Sequence, residues 1–183
     1  ELGLRLVLST NGTLLSPTKV ARLKELAFTY IGISLDGMEV AHDRFRGYQG
    51  AFALALAAFR RCQAAGLKVG LRLTLTRYTA SELSEIFAFL EAEKIPRVCF
   101  YHLAPAGRGQ ELDLLRPQES RRAMDFILEK TKDFAARGIG TEILTVEDHC
   151  DGPYLQMKLE AAGDPRASEV DRMLRWNGGG AYS

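Results

Sequence analysis

Cysteine is scarce in this sequence of 183 residues: Cys62, Cys99 and Cys150 stand 37 and 51 positions apart. That spacing excludes a disulfide framework and a metal-knuckle pattern, so a reducing cytoplasm is the expected setting. Long apolar runs are missing too. None approaches the roughly 20 residues of a membrane span, and the start, Glu1-Leu2-Gly3-Leu4-Arg5, has no feature of a signal peptide. Charge of one sign is absent: 24 Lys+Arg against 23 Asp+Glu leave a net +1, which makes no electrostatic case for a nucleic-acid or membrane-surface partner. There is no internal repeat and no glycine-rich phosphate loop, which counts against common nucleotide binders. The chain does not begin with Met and its first residues already read as a strand; it ends on the loop-like Trp176-Asn177-Gly178-Gly179-Gly180-Ala181-Tyr182-Ser183. These ends are expected of a middle piece of a longer protein.

What is present is an alternation of hydrophobic periods. Leu4–Thr10, Tyr30–Asp36, Leu67–Thr76, Arg97–Leu103 and Thr141–Val146 read as strands. Between them lie helical stripes. Ser16-Pro17 supplies an N-cap and a first-turn proline ahead of Val20, Leu23 and Ala27. Phe52, Leu56 and Phe59 mark a helix closed by Gly66. Thr79-Ala80-Ser81-Glu82 fits a capping box before Leu83, Ile86, Phe87 and Leu90. A long helix opens near Pro117, with Met124, Ile127, Leu128, Thr131 and Phe134 on its face, and Asp164-Pro165 opens a last short one. Strand–helix alternation of this kind implies right-handed βαβ units and a mainly parallel sheet.

The strand faces are more informative. Leu67, Val69, Leu71, Leu73 and Leu75 alternate with Lys68, Gly70, Arg72, Thr74 and Thr76; Ile31, Ile33 and Leu35 alternate with Tyr30, Gly32, Ser34 and Asp36. A parallel strand covered by helices on both sides reads apolar throughout. These strands therefore belong to a sheet with helices on one side, as in a β/α barrel, and their polar row faces a wet lumen in a barrel that does not fully close. The rival is a doubly wound open sheet with these strands at an edge. Ligands of β/α sheets sit at the carboxyl ends of the strands.

Four segments carry a resemblance: Ser9-Thr10-Asn11-Gly12-Thr13-Leu14-Leu15; Ile33-Ser34-Leu35-Asp36-Gly37 with His42-Asp43-Arg44-Phe45-Arg46-Gly47; Leu71-Arg72-Leu73-Thr74-Leu75-Thr76; and Cys99-Phe100-Tyr101-His102-Leu103-Ala104-Pro105-Ala106-Gly107-Arg108-Gly109. Together they resemble the radical SAM superfamily with a C-terminal SPASM-type extension. The last two segments, with Asp148-His149-Cys150-Asp151-Gly152-Pro153-Tyr154-Leu155 and Trp176-Asn177-Gly178-Gly179, are similar to the branch that trims side chains of sirohaem-derived tetrapyrroles, such as didecarboxysirohaem deacetylase and the haem d1 pathway enzyme.

The resemblance implies an α/β fold, a partial (β/α)6 TIM-like barrel lacking its first strands. Residues 1–146 would be the barrel core from the third strand onward, and 147–183 a linker toward an absent SPASM-type extension. It implies S-adenosylmethionine and a 4Fe–4S cluster as cofactors. The cluster's Cys-x3-Cys-x2-Cys loop is not in this sequence, and its three cysteines are too scattered to replace it. The chain alone is therefore expected to be inactive. The intact enzyme would cleave S-adenosylmethionine and abstract hydrogen from a porphyrinoid side chain whose carboxylated arm is lost, with a ferredoxin or flavodoxin as electron donor.

Site residues follow from the same resemblance. Ser34 and Asp36 are expected beside the ribose and methionyl part of the cofactor, with a strand-end turn as the alternative. Arg46 and Arg72 are candidates for the methionyl carboxylate; an internal ion pair is the alternative for Arg72 and a solvated charge for Arg46. Thr74 points the same way as Arg72. Tyr101 and His102 end their strand where family members place groups near the adenine, and either is the inward one. His42 and Asp43 are expected to fix their loop through mutual hydrogen bonds. Arg108, His149, Asp151 and Tyr154 are candidates for substrate carboxylates or for proton donation. Asn11-Gly12 reads as a turn with glycine at positive φ. Two alternatives stay open: a peptide-modifying enzyme with a SPASM extension, and a non-catalytic barrel module binding a small nucleoside-like ligand.

Overall fold

A computed structural model describes residues 3–104, 114–146 and 148–176. Strands β1 (Val7–Thr10), β2 (Tyr30–Ser34), β3 (Val69–Leu75), β4 (Arg97–His102) and β5 (Glu142–Val146) form one sheet in sequence order. All four pairings are parallel. Right-handed crossovers between strands laid down in order place every connecting helix on the same side. The strand order never reverses, which excludes the doubly wound sheet. This is an open arc of β/α barrel, as the alternating strands predict.

The core lies between sheet and helices. Ile31, Ile33, Val69, Leu71, Leu73, Leu75, Val98 and Phe100 supply the sheet face. Helix α3 (Ala51–Ala64) adds Ala55, Ala58, Phe59 and Cys62; α5 (Leu83–Ala92) adds Ile86, Phe87 and Leu90; α6 (Pro117–Ala136) adds Met124, Ile127 and Phe134. Phe87 stacks on Phe100 with ring centroids 5.8 Å apart and meets Phe134 edge-on at 5.4 Å. Each such side chain stabilises the fold by about 1.5–3 kcal/mol through burial.

Several boundaries differ from the sequence reading. β1 begins at Val7 and β3 at Val69; the residues just before them, Leu6 and Lys68, meet the neighbouring chain segment through a carbonyl that accepts the Thr29 and Ile31 N–H groups respectively. The polar loop after β2 contains a helix, α2 (Glu39–Arg46), closed by Gly47 at φ 65°. Helix α1 (Pro17–Glu25) has the expected Ser16 cap, but Ala27 sits beyond it in the left-handed region at φ 54°. The capping box is displaced: Thr76 and Thr79, not Thr79 and Glu82, cap the short α4 (Arg77–Ser81). Glu82 instead accepts the Met38 N–H at 2.8 Å, bracing the turn after β2. The segment from 147 onward holds α7 (Asp151–Ala161), which the sequence reading lacks, and α8 (Ala167–Trp176), the short helix expected after Asp164-Pro165. Among the described residues, no helix is long and apolar enough to cross a membrane.

Candidate functional site

The register decides which side chains share the lumen face. Ser34 pairs with Arg72 and Arg72 with Cys99; Thr74 pairs with Tyr101. Paired residues of a parallel sheet point the same way, so Ser34, Arg72, Thr74 and Tyr101 line one surface. Tyr101 is therefore the inward residue of the strand end. His102 pairs with Leu75 and belongs to the opposite face. Beyond the strands' carboxyl ends these groups surround a cavity of about 400 Å³, lined by Ser9, Ser34, Asp36, Arg72, Thr74 and Tyr101 together with His102, Leu103 and Ala104.

Two glycines that the sequence reading passed over shape this surface. A Cβ on Gly32 would lie 2.7 Å from Cδ of Arg72, and one on Gly70 would collide with the Tyr30 hydroxyl. Arg72 and Tyr30 thus lie across the backbone of neighbouring strands. The Arg72 guanidinium stacks on Tyr101, 4.2 Å from the ring centroid. Tyr30 is a buried hydroxyl without a hydrogen-bond partner among the described residues, and burial pushes its pKa up to about 12. The signal was glycine at alternate positions of strands that also carry a long polar side chain.

Asp36 occupies the mouth of this cavity but is almost fully buried. One carboxylate oxygen accepts the Thr74 N–H at 2.8 Å, and the other is ion-paired with Arg46. Its own N–H donates to Nδ1 of His42 at 2.8 Å, which requires a neutral ring; burial also lowers the His42 pKa. Asp43 accepts the N–H groups of Gly50 and Phe52, and those bonds hold its carboxyl below the usual range. His42 and Asp43 do fix the loop. The expected bond between them is replaced by bonds to separate backbone amides, since an N–H at each site has no other acceptor. Arg46 meets Asp36 and does not line the cavity.

His102 is clamped by two carboxylates. Its Nε2 lies 2.9 Å from Asp151 and its Nδ1 lies 3.7 Å from Asp148. Burial pulls its pKa down, but the Asp151 hydrogen bond and the charges of Asp151 and Asp148 outweigh it, and the net shift is upward. The three side chains are close enough to invite a metal ion. The carboxylates address opposite nitrogens of one ring, however, which is the pattern of a held imidazolium rather than of convergent ligands. Asp151 is thus joined to the end of β4. Tyr154 donates its hydroxyl to Asp125 at 2.9 Å, His149 is exposed, and Arg108 lies outside the described residues.

These observations define an open β/α barrel with a small-molecule cavity at the carboxyl ends of its strands. The radical SAM superfamily model matches residues 1–90. Fe-coproporphyrin III synthase of Methanosarcina barkeri is 48% identical over 98% of this chain and 45% of its own length. Pre-heme d1 synthase of Dinoroseobacter shibae is 39% identical over 81% of the chain and 38% of its own length. Mycofactocin maturase MftC of Mycolicibacterium smegmatis is 32% identical over 67% of the chain. Among solved structures, native anSMEcpe with bound AdoMet superposes on 76% of this chain with a TM-score of 0.68 at 19% identity. Streptococcus suis SuiB bound to S-adenosylmethionine covers 81% with a TM-score of 0.66 at 15% identity. The chain belongs to the radical SAM superfamily, and its similarity runs to the haem-biosynthesis branch. It spans less than half the length of these two haem-related relatives.

The family's cofactors are S-adenosylmethionine and a 4Fe–4S cluster. The cavity fits the first. The Ser34 and Thr74 hydroxyls and the Arg72 guanidinium have no hydrogen-bond or ion-pair partner among the described residues, which suits a ligand with hydroxyls and a carboxylate. The chain's own thiols do not fit the second. Cys62 is buried on the helix side of the sheet, Cys99 is on the lumen face and Cys150 is exposed in a turn.

Proposed function

We propose that the full-length protein containing this chain is a radical SAM enzyme of haem-related tetrapyrrole synthesis that removes carboxylated side chains from a sirohaem-derived macrocycle. The observation that carries this reading is the similarity to Fe-coproporphyrin III synthase along 98% of this chain, supported by that to pre-heme d1 synthase. The chemistry supplied by bound S-adenosylmethionine and a reduced cluster is hydrogen-atom abstraction from a substrate carbon. The cluster's thiolates come from outside this chain, and its electron comes from a ferredoxin- or flavodoxin-type donor in a reducing cytoplasm.

The chain's own residues bind and orient. Arg72, held flat on Tyr101, pairs with the methionyl carboxylate. Ser34 and Thr74 offer hydroxyls to the ribose side. Asp36, locked by Arg46 and the Thr74 amide, positions that strand end. The test is to give didecarboxysirohaem to the full-length protein, reconstituted anaerobically, and to weigh the tetrapyrrole. Loss of side-chain mass is expected; an unchanged mass overturns the assignment. The MftC similarity favours a second reading, a peptide-modifying enzyme. In that case a precursor peptide, not the macrocycle, changes mass.

A further inference from the structure

Helices α6 and α7 follow the carboxyl ends of β4 and β5, and their opening turns face one another across a second cavity of about 550 Å³. Its lining is largely apolar: Pro117 and Met124 on α6, Pro153, Tyr154 and Met157 on α7. Cavities of this size and character are typical small-molecule sites. The charges on the lining are Asp148, Asp151 and Arg121. Both acids are engaged. Asp151 bonds His102 at 2.9 Å, while Asp148 accepts the Cys150 N–H at 2.8 Å and faces the other ring nitrogen. The Tyr154 hydroxyl is directed to Asp125. Arg121 is exposed and has no hydrogen-bond or ion-pair partner among the described residues. It shares a helix face with Met124, three residues on, so the unpaired cation and the thioether open on the same space.

We infer that this second cavity binds an organic carboxylate with a flat apolar body, the carboxylate resting on Arg121 and the body against Met124, Tyr154 and Met157. A bare guanidinium beside apolar walls selects an anion that brings its own hydrophobic surface. Asp151 and Asp148 are directed to the ring nitrogens of His102, and Arg121 is the cation of the lining. The identity of the ligand as a tetrapyrrole side chain and the adjoining macrocycle edge rests on the proposed function. The Arg121–carboxylate contact does not. Asp151 and Tyr154 line the site through their bodies, and the carboxylate partner is a residue that the sequence reading did not single out.

The experiment titrates the full-length protein with mesoporphyrin IX, a dicarboxylic porphyrin, and with its dimethyl ester, following porphyrin absorbance. Arg121→Glu is expected to weaken mesoporphyrin about tenfold or more and Arg121→Lys less, as loss of a charge-assisted contact implies. The ester is expected to bind wild type and Arg121→Glu alike. Met157→Trp, which fills the cavity, is expected to weaken both ligands. S-adenosylmethionine binding serves as the control for folding and stays unchanged. Equal mesoporphyrin affinity in wild type and Arg121→Glu overturns the inference and leaves the proposed function standing. Arg121-dependent binding without any tetrapyrrole turnover does the reverse.

Discussion

Asp36 shows how much one carboxylate organises. It receives the Thr74 amide from β3 and Arg46 from the end of α2, while its own amide reaches His42. Removing one partner of a buried ion pair strands the other, so Asp36→Asn is expected to destabilise the chain by about 2–4 kcal/mol in urea unfolding. The two clamped histidines respond to pH in opposite directions. His42 has a lowered folded pKa, so its contribution is present above about pH 6.5, the free value, and is lost as pH falls through the folded one. His102 has a raised folded pKa, so its contribution is full below about pH 6.5 and disappears as pH rises through the folded value. His102→Gln is expected to remove the alkaline fall in stability while leaving the acid fall in place, as read from melting temperature across pH. The residue types of the Asp36 cluster were legible as a motif. Their bonds to one another were not, because positions 36, 46 and 74 meet only after the crossover from β2 to β3 brings their elements together.

At the scale of elements, the polar face of the sheet depends on two missing side chains. Gly70→Ala sets a Cβ against the Tyr30 hydroxyl and 2.9 Å from the Arg97 carbonyl oxygen. Overpacking of this kind is expected to cost about 1–3 kcal/mol. Adding Tyr30→Phe is expected to recover part of that loss, since it removes the colliding atom and an unpartnered buried hydroxyl together; denaturation midpoints of the single and double variants check it. Strand identity was legible because apolar positions repeat every second residue. Helices α2 and α7 were not: α2 buries only His42, and α7 buries Asp151 and Leu159, too few apolar contacts to leave a helical period in the sequence.

At the scale of the molecule, five parallel strands in sequence order turn one face to helices and the other to a polar cavity. Arg72 reaches that cavity face with an aromatic support but no ion pair among the described residues. In the full-length protein, Arg72→Ala is therefore expected to weaken S-adenosylmethionine about tenfold or more by calorimetric titration, with little change in melting temperature. A large loss of stability with unchanged cofactor affinity contradicts the role. The amino-acid order alone determined that strands would be parallel, because they alternate with helices, and one-sided, because period-two alternation between leucine-type and polar residues permits helices on a single face. It also placed Ser34, Arg72 and Thr74 together, since parity carries across a parallel register. Tertiary structure alone decided that Arg46 turns to Asp36, that Tyr101 rather than His102 faces the lumen, and that Arg121 stands beside a second cavity with no ion-pair partner among the described residues. Those outcomes depend on distances between elements far apart in the chain, and no local period encodes such distances.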